Sequence, residues 1–429
     1  MRKYRFSLLF TALLFAACGC SSGASASDAP VTFRTVRTEG ISAYTTVFAS
    51  ETAETQAPPV SPVSAVSAVS KITRHYETTI PETLVGGFSE APKTTEVEGG
   101  SRGSAPSQKE TTTKAATDAV TANTPDLGYT PEYAEIGGDG ILVIRRSDGH
   151  YLGLMPCWGT YSLCESWAAS VNELKRCLPD VNVYHAVIPT SSEFYVPDGF
   201  SGFTASQKNK IDHVAERLED VANVDMYSAV AAHTAEAIYA RTDHHWLPLG
   251  AYYAAEAFAA VADVPFPPLS DYAAVEADGY VGSLYGYSKD AHLRDDPEVF
   301  TLYLPPNKAA LATEYYDRAF ANGYASELFP APDGSAYYCS FLGSDDRIAR
   351  IATDVNNGRK LVIFKESYGN ALVPFLTSSF EEIYVCDIRY FDLNAAEFCS
   401  SVGATDVLAA VCTYTAAGTN GNYLKRILT

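Results

Sequence analysis

Two short segments, far apart in the chain, contain the residue types of a nucleophilic acyl-transfer site. Residues 241–251 read RTDHHWLPLGA and include Asp243 and His245, and residues 361–370 read LVIFKESYGN and include Ser367. A serine hydroxyl becomes an effective nucleophile when a histidine removes its proton and a carboxylate orients that histidine. The two segments together could therefore supply a nucleophile, a base and an orienting group.

The spacing within the first segment selects one of its two histidines. The segment lies between two predicted helices and is expected to be an extended loop, in which side chains at i and i+2 point the same way. Asp243 can then contact the ring of His245, while His244 points away. Two alternatives stay open: Asp243 caps the next helix while both histidines are solvated, or the three side chains bind zinc. No HxH or HxxxH spacing supports a metal, so we predict none.

Ser367 lies where a predicted buried strand, 360–365, runs into a helix near 370–376. A serine at such a turn exposes its hydroxyl at the carboxyl end of the strand, beside helix amides that can stabilise an oxyanion. The simpler interpretation is that Ser367 only caps the helix. Asn370 is a candidate oxyanion donor, with helix capping again as the alternative.

Three further residues are candidates for binding substrate. Thr190 and Ser191 follow a predicted strand at 181–188 and could border the same site as polar donors. Arg389 could bind an anionic sugar, although a structural ion pair with Asp387 is the interpretation that we favour. We predict no cofactor.

Predicted strands and helices, which must position these residues, alternate along 129–429, and this alternation predicts an α/β domain. Such alternation is typical of a three-layer α/β/α sandwich, with a mostly parallel sheet between two layers of helices. Residues 263–345 are rich in Pro, Gly, Asp and Tyr and are expected to form an irregular insertion. Other predicted strands are 221–226, 383–388 and 407–412, and predicted helices are 162–178, 204–220, 228–240, 249–261 and 393–402.

The first 20 residues have the features of an export signal. Arg2, Lys3 and Arg5 precede an apolar stretch, 6–17, that is too short to span a bilayer comfortably. Small residues before Cys18 and a Ser/Gly run after it resemble a bacterial lipobox. This resemblance implies a diacylated cysteine anchored at the outer face of the cytoplasmic membrane. An ordinary secretory signal with an incidental cysteine is the alternative.

The amino-acid composition after residue 20 predicts two parts, a tether and an acidic domain. Residues 21–128 are rich in Ser, Thr, Ala, Pro and Glu, so we expect a disordered tether. Residues 129–429 contain 39 acidic and 20 basic side chains, an excess that excludes a nucleic-acid binder. The odd number and irregular spacing of the cysteines after Cys20 leave any disulfide unassigned.

The motifs resemble those of a known family. Residues 242–246, TDHHW, are similar to the signature of the DHHW proteins of Gram-positive bacteria, and KESYGN resembles their second motif, commonly Lys-Asp-Ser-Tyr. These proteins resemble the alginate O-acetylation proteins and SGNH hydrolases, with the motif order permuted so that the serine follows the aspartate and histidine. The resemblance implies Ser367 as nucleophile, His245 as base and Asp243 as orienting group.

The resemblance also implies a function at the cell surface. The expected chemistry is O-acetyl transfer to, or ester hydrolysis on, an extracellular or cell-wall polysaccharide, with a membrane-bound O-acyltransferase as partner on the donor side. A different class stays open, a non-catalytic glycan-binding or envelope-assembly lipoprotein that uses the same cleft. Binding of wall polysaccharide that is unaffected by His245→Ala, without ester chemistry, would favour that class.

Overall fold

The structure, a computed structural model, describes residues 131–330 and 337–429 together with the backbone of residues 33–35. The predicted export signal, Cys18 and almost all of the predicted tether lie outside these residues. Three residues of the predicted tether, Phe33–Thr35, form a strand. None of the helices in the described part of the chain has the length and apolarity needed to cross a bilayer.

The described residues alternate between strands and helices. The strands are β1 Phe33–Thr35, β2 Ala134–Ile136, β3 Leu142–Arg145, β4 Tyr151–Leu154, β5 Asn182–Ile188, β6 Ala222–Val224, β7 Ala273–Tyr280, β8 Glu298–Leu304, β9 Ala312–Tyr316, β10 Tyr324–Ala325, β11 Ile348–Ala352, β12 Lys360–Lys365, β13 Glu382–Asp387 and β14 Asp406–Cys412. The α-helices are α1 Tyr161–Cys177, α2 Gln207–Ala215, α3 Met226–Ala231, α4 Pro248–Ala262, α5 Ser283–Ser288, α6 Ala291–Asp295, α7 Val373–Leu376, α8 Ala395–Val402, α9 Thr413–Ala416 and α10 Asn422–Arg426.

The central sheet has eight strands in the order β10-β9-β11-β13-β12-β14-β5-β6. Its half from β13 to β6 is parallel, whereas β11, β9 and β10 continue it with antiparallel pairs. The sheet is therefore mixed, and the expected parallel arrangement describes one half of it.

The segment 263–345 is not irregular, contrary to the expectation from its composition. It contains α5, α6 and β7 to β10; β7 pairs with β8 and β1, and β9 and β10 join the central sheet. In β8 the side chains of Glu298, Phe300 and Leu302 are buried at alternate positions, which is the pattern of a strand. The Pro and Gly residues of this segment mark turns between short strands, so its composition concealed regular structure.

Helices cover both faces of the parallel half. Successive residues of β14 point to opposite sides, so that Val407 packs in one core with Trp167 of α1 and Leu408 packs in another with Phe258 of α4. Strands buried on both faces are continuous apolar runs, which is why β12 and β14 could be recognised from the sequence. The carboxyl ends of β5, β12 and β14 meet at one edge, where such sheets bind ligands.

Candidate active site

Ser367, His245 and Asp243 form a hydrogen-bonded series at this edge of the sheet. Ser367 Oγ lies 2.8 Å from His245 Nε2, and His245 Nδ1 lies 2.6 Å from Asp243 Oδ1. When Nδ1–H donates to the carboxylate, Nε2 is left to accept the serine proton. Ser367, His245 and Asp243 are buried residues, 5%, 2% and 5% exposed respectively, and the fold brings His245 and Ser367 together from positions 122 residues apart.

Each carboxylate oxygen of Asp243 accepts a hydrogen bond from a backbone amide. Its Oδ1 accepts the amide of His245 at 2.9 Å, and its Oδ2 accepts the amide of Ser283 at 2.7 Å. Gly282 leaves the space for this contact, since a Cβ there would lie 2.3 Å from Asp243 Cβ. Burial alone would raise the pKa of Asp243, but the adjacent histidines and these hydrogen bonds lower that pKa below its usual range. The orienting carboxylate is therefore ionised at neutral pH.

His244 does not point away from His245, contrary to the expectation for an extended loop. Its ring centroid lies 3.8 Å from that of His245, and its Nδ1 lies 2.5 Å from Ser283 Oγ. The segment folds as a series of bends, so the two-residue alternation of a strand does not apply. Burial and the charge of His245 lower the pKa of His244 to about 3, which leaves it neutral.

Asp243, His244 and His245 could in principle surround a metal ion. One ligand atom from each of Asp243, His244 and His245 lies within 4.8 Å of the others. Asp243 and His245 are, however, already hydrogen-bonded to each other, so an ion would have to replace that bond. The arrangement fits a serine-activating pair better than a set of ligands.

Trp246 ties the histidine segment to the serine turn. Its backbone pairs with that of Tyr239 in an isolated antiparallel bridge. Its indole Nε1 donates to the carbonyl of Tyr368 at 3.0 Å. In return, the hydroxyl of Tyr368 donates to the carbonyl of His244. These reciprocal bonds explain why the tryptophan belongs to the motif: it fixes the distance between the two segments.

Tyr338 is a site residue that the sequence did not single out. Its ring is parallel to that of His245, with centroids 3.9 Å apart, and its hydroxyl donates to the carbonyl of Ser367 at 3.1 Å. An aromatic ring stacked on an imidazole restrains the orientation of that imidazole. Tyr338 lies within the segment expected to be irregular, where one tyrosine among many gave no signal.

Ser367 begins a 3-10 helix, Ser367–Leu372, directly after β12. The carboxylate of Glu366 accepts the amides of Tyr368 at 3.1 Å and Cys412 at 2.7 Å, and its Oε2 lies 3.4 Å from Ser367 Oγ. The amide of Ser367 itself has no hydrogen-bond partner among the described residues. This amide is therefore the N–H group beside the serine that could still bind an oxyanion.

Asn370 and Arg389 belong to a buried charge cluster rather than to the substrate side. Asn370 Nδ2 donates to Asp345 at 2.9 Å, and Asn370 is not among the residues that line the pocket beside Ser367, so its role as an oxyanion donor stays a prediction. Arg389 borders the pocket but binds Asp387 at 2.7 and 2.8 Å and Asp345 at 2.8 Å. Lys365 Nζ lies 3.0 Å from both aspartates. The sequence could not reveal this cluster because Asp345 comes from a distant loop.

A small pocket with a volume of about 40 Å³ opens beside Ser367. Thr190 and Ser191 line it, as predicted, but the Thr190 hydroxyl already accepts Gln207 Nε2 at 2.8 Å. Sequence reasoning missed the other walls of the pocket, which are formed by Met155, Pro156, Cys157, Tyr414, Thr415 and Asn420. Their side chains come from the segment after β4 and from the short helices after β14, none of which carries a recognisable motif.

Two of the pocket walls carry thiols, Cys157 and Cys412. All seven cysteines of the described residues are free. Burial raises the pKa of Cys157 to about 12 and that of Cys412 well above its usual value. Both thiols are therefore protonated at neutral pH, and the serine is the nucleophile that has a base beside it.

Comparisons with solved structures find proteins that resemble this chain. The structure of PatB1 from Bacillus cereus with a sulfonyl adduct is similar at 18% identity and a TM-score of 0.53, over 66% of this chain and 98% of PatB1. That likeness shows a shared fold. The O-acetyltransferase domain of Pseudomonas putida AlgJ also matches, at 15% identity and a TM-score of 0.37, over 67% of this chain and 98% of that domain. No curated protein matches the chain.

The stronger matches are to proteins that share the first motif. A DHHW family protein from Eubacterium siraeum is 42% identical, with a TM-score of 0.64, over 68% of this chain and 98% of its own length. The family model described as DHHW protein matches residues 114–386, which contain both segments of the candidate site. The chain therefore belongs to the DHHW protein family.

Proposed function

We propose that the protein is a serine-dependent acyltransferase or carbohydrate esterase that acts on acetyl esters of an extracellular or cell-wall polysaccharide. The observation that carries the proposal is the contact of 2.8 Å between Ser367 Oγ and His245 Nε2, with Asp243 behind the imidazole. Distances of this size are what nucleophile activation requires. The acetyl group and the polysaccharide come from the family resemblance.

The proposed reaction has two steps. His245 Nε2 takes the proton of Ser367 as Oγ attacks the acyl carbonyl, and the Ser367 amide binds the oxyanion. The bond to the leaving alcohol then breaks, and the imidazolium returns its proton to that alcohol. A sugar hydroxyl or water resolves the acyl-serine by the same route in reverse, with His245 again as the base. The ionised Asp243 stabilises the imidazolium in both steps, and the ring of Tyr338 restrains its orientation.

The size of the pocket favours a short acyl group. A volume of about 40 Å³ holds about three water molecules, which is comparable to an acetyl group. We expect kcat/KM to be at least about 100-fold higher for p-nitrophenyl acetate than for p-nitrophenyl octanoate, since steric exclusion of the longer chain costs several kcal/mol. Stopped-flow absorbance compares the two esters, and mass spectrometry of the quenched enzyme locates the acetyl group.

The test of the proposal is a covalent adduct at one residue. Phenylmethylsulfonyl fluoride should sulfonylate Ser367 of the wild type, and p-nitrophenyl acetate should acetylate it. A Ser170→Ala variant, which lacks a buried serine hydroxyl on α1, provides the control and should be modified normally. Turnover without an adduct on Ser367 would leave the alternative of a non-catalytic glycan-binding or envelope-assembly protein.

We also infer an SGNH-like domain with a permuted order of motifs. The parallel half of the sheet and its two helix layers support this architecture, with Ser367 after the central strand β12. Asp243 and His245 precede the serine in the chain, which is the permuted order.

We further propose that Cys18 is diacylated and that the segment between Cys18 and β1, part of the predicted tether 21–128, holds the domain outside the cytoplasmic membrane, near a membrane-bound O-acyltransferase. Wild-type cells fed with labelled palmitate should incorporate label into the protein, and Cys18→Ser should lose all of it, because only the lipobox cysteine is acylated. A Cys20→Ser variant is the matched control and should retain the label. Equal labelling of wild type and Cys18→Ser would contradict the anchor.

A further inference from the structure

An exposed tryptophan follows directly after the residues that form one wall of the pocket. Trp158 is 51% exposed, whereas the other tryptophans of the protein, Trp167 and Trp246, are 1% and 0% exposed. Cys157, its neighbour in the chain, lines the pocket. Tyr161, three residues further on, is also 50% exposed. Large aromatic surfaces left open beside a pocket are typical of ligand contacts.

The loop that carries Trp158 is held firmly in place. The amide of Cys157 donates to Thr204 Oγ1 at 2.9 Å, and the amide of Thr160 donates to the carbonyl of Ala417 at 3.0 Å. Gly159 has φ +56°, and a Cβ there would lie 2.5 Å from Ala417 Cβ, so a glycine is required for this close approach. The backbone that carries the indole therefore needs little ordering when a ligand binds, which favours affinity.

Two polar side chains that line the pocket, those of Ser191 and Asn420, make no hydrogen bond to the described residues. Ser191 is only 4% exposed and lines the pocket, yet its hydroxyl makes no hydrogen bond to any described residue. Asn420, which also lines the pocket, likewise has no side-chain hydrogen bond within the described part of the chain. The Ser191 hydroxyl and the Asn420 amide can therefore bind a ligand without giving up a hydrogen bond to the protein.

The charges around the pocket disfavour an anionic ligand. Arg389 is the basic side chain that lines it, and its guanidinium is engaged by Asp387 and Asp345. Glu366 adds a carboxylate to the pocket wall. Residues 129–429 as a whole contain 39 acidic and 20 basic side chains, so a polyanion would be repelled at long range.

From these observations we propose that Trp158, Ser191 and Asn420 form a subsite for one ring of an uncharged glycan, the acyl acceptor or the ester to be cleaved. The pyranose lies outside the acetyl-sized pocket, with its apolar face on the indole, and its hydroxyl groups bind the Ser191 hydroxyl and the Asn420 amide at the pocket mouth. The subsite rests on the proposed function for its role in catalysis, but its binding of glycan does not require ester chemistry.

The test uses the full chain without any acyl donor. Because Trp167 and Trp246 are buried, acrylamide quenching of tryptophan fluorescence reports mainly on Trp158. Hexa-N-acetylchitohexaose should protect this fluorescence from quenching, and hexagalacturonate of the same length should not. Isothermal titration calorimetry should show about tenfold weaker binding of the neutral hexamer to Trp158→Ala, the loss of one stacking contact.

Tyr324→Ala is the matched control, since Tyr324 is also 51% exposed but lies on the edge strand β10. Its affinity for the neutral hexamer should equal that of the wild type. Three results would overturn the subsite: no binding of the neutral hexamer, equal affinity in Trp158→Ala, or tighter binding of hexagalacturonate. Because no acyl donor is present, these results are independent of whether Ser367 forms an acyl-enzyme.

Discussion

Replacement of Ser367 by alanine should lower kcat/KM for p-nitrophenyl acetate by about 10⁴-fold and abolish the acetyl adduct. The alanine removes the oxygen that attacks the carbonyl, whereas the remaining groups of the site supply only residual catalysis. The measurement is initial-rate hydrolysis together with intact-protein mass spectrometry. The hydroxyl is 2.8 Å from His245 Nε2, so its removal deletes the proton transfer as well as the nucleophile.

The Ser170→Ala variant distinguishes loss of chemistry from loss of stability. Ser170 is 5% exposed, as is Ser367, but its hydroxyl only donates to the carbonyl of Ser166 at 2.9 Å. Both variants should keep a Tm close to that of the wild type, and only Ser367→Ala should lose activity. Undiminished turnover by Ser367→Ala would remove the basis for the proposed function.

The Asp243→Asn substitution should lower kcat/KM by about 10⁴-fold, although it changes the size of the side chain very little. Asp243 accepts hydrogen bonds from two backbone amides and from His245 Nδ1. If the asparagine turns its NH₂ group towards the imidazole, Nδ1 becomes the acceptor and Nε2 carries the proton. The histidine is then in the wrong tautomer to accept the serine proton. Its cationic form also loses the neighbouring negative charge.

The chain provides a closely matched control in Asp290→Asn. Asp290 Oδ1 accepts the amide of His292 at 2.9 Å and lies 2.8 Å from His292 Nδ1, which is the same local arrangement as in the site. We expect this variant to retain wild-type hydrolysis. If Asp243→Asn also retained it, or if Asp290→Asn lost as much activity, the orienting role of Asp243 would be refuted. The pH profile of hydrolysis should also change in Asp243→Asn, because the imidazolium of His245 loses the neighbouring carboxylate.

The sequence by itself determined the features that depend on short stretches of chain. Residues 361–364, LVIF, are all apolar because β12 is buried on both faces, so a buried strand that ends shortly before Ser367 could be predicted. The pairing of Asp243 with His245 is likewise local, because a carboxylate two residues before an imidazole can reach both its amide and its Nδ1. The helix-strand alternation gave the α/β class for the same reason.

The tertiary structure alone decided which of these local features make a site. Asp290 and His292 have the same spacing and hydrogen bonds as Asp243 and His245, yet the ring of His292 packs beside two tyrosines and is hydrogen-bonded to no serine of the described residues. Only long-range packing, through Trp246 and its bond to the serine turn, brings a nucleophile to one histidine and leaves the other without one. Contacts of this kind depend on the shapes of many distant side chains, which no short pattern encodes.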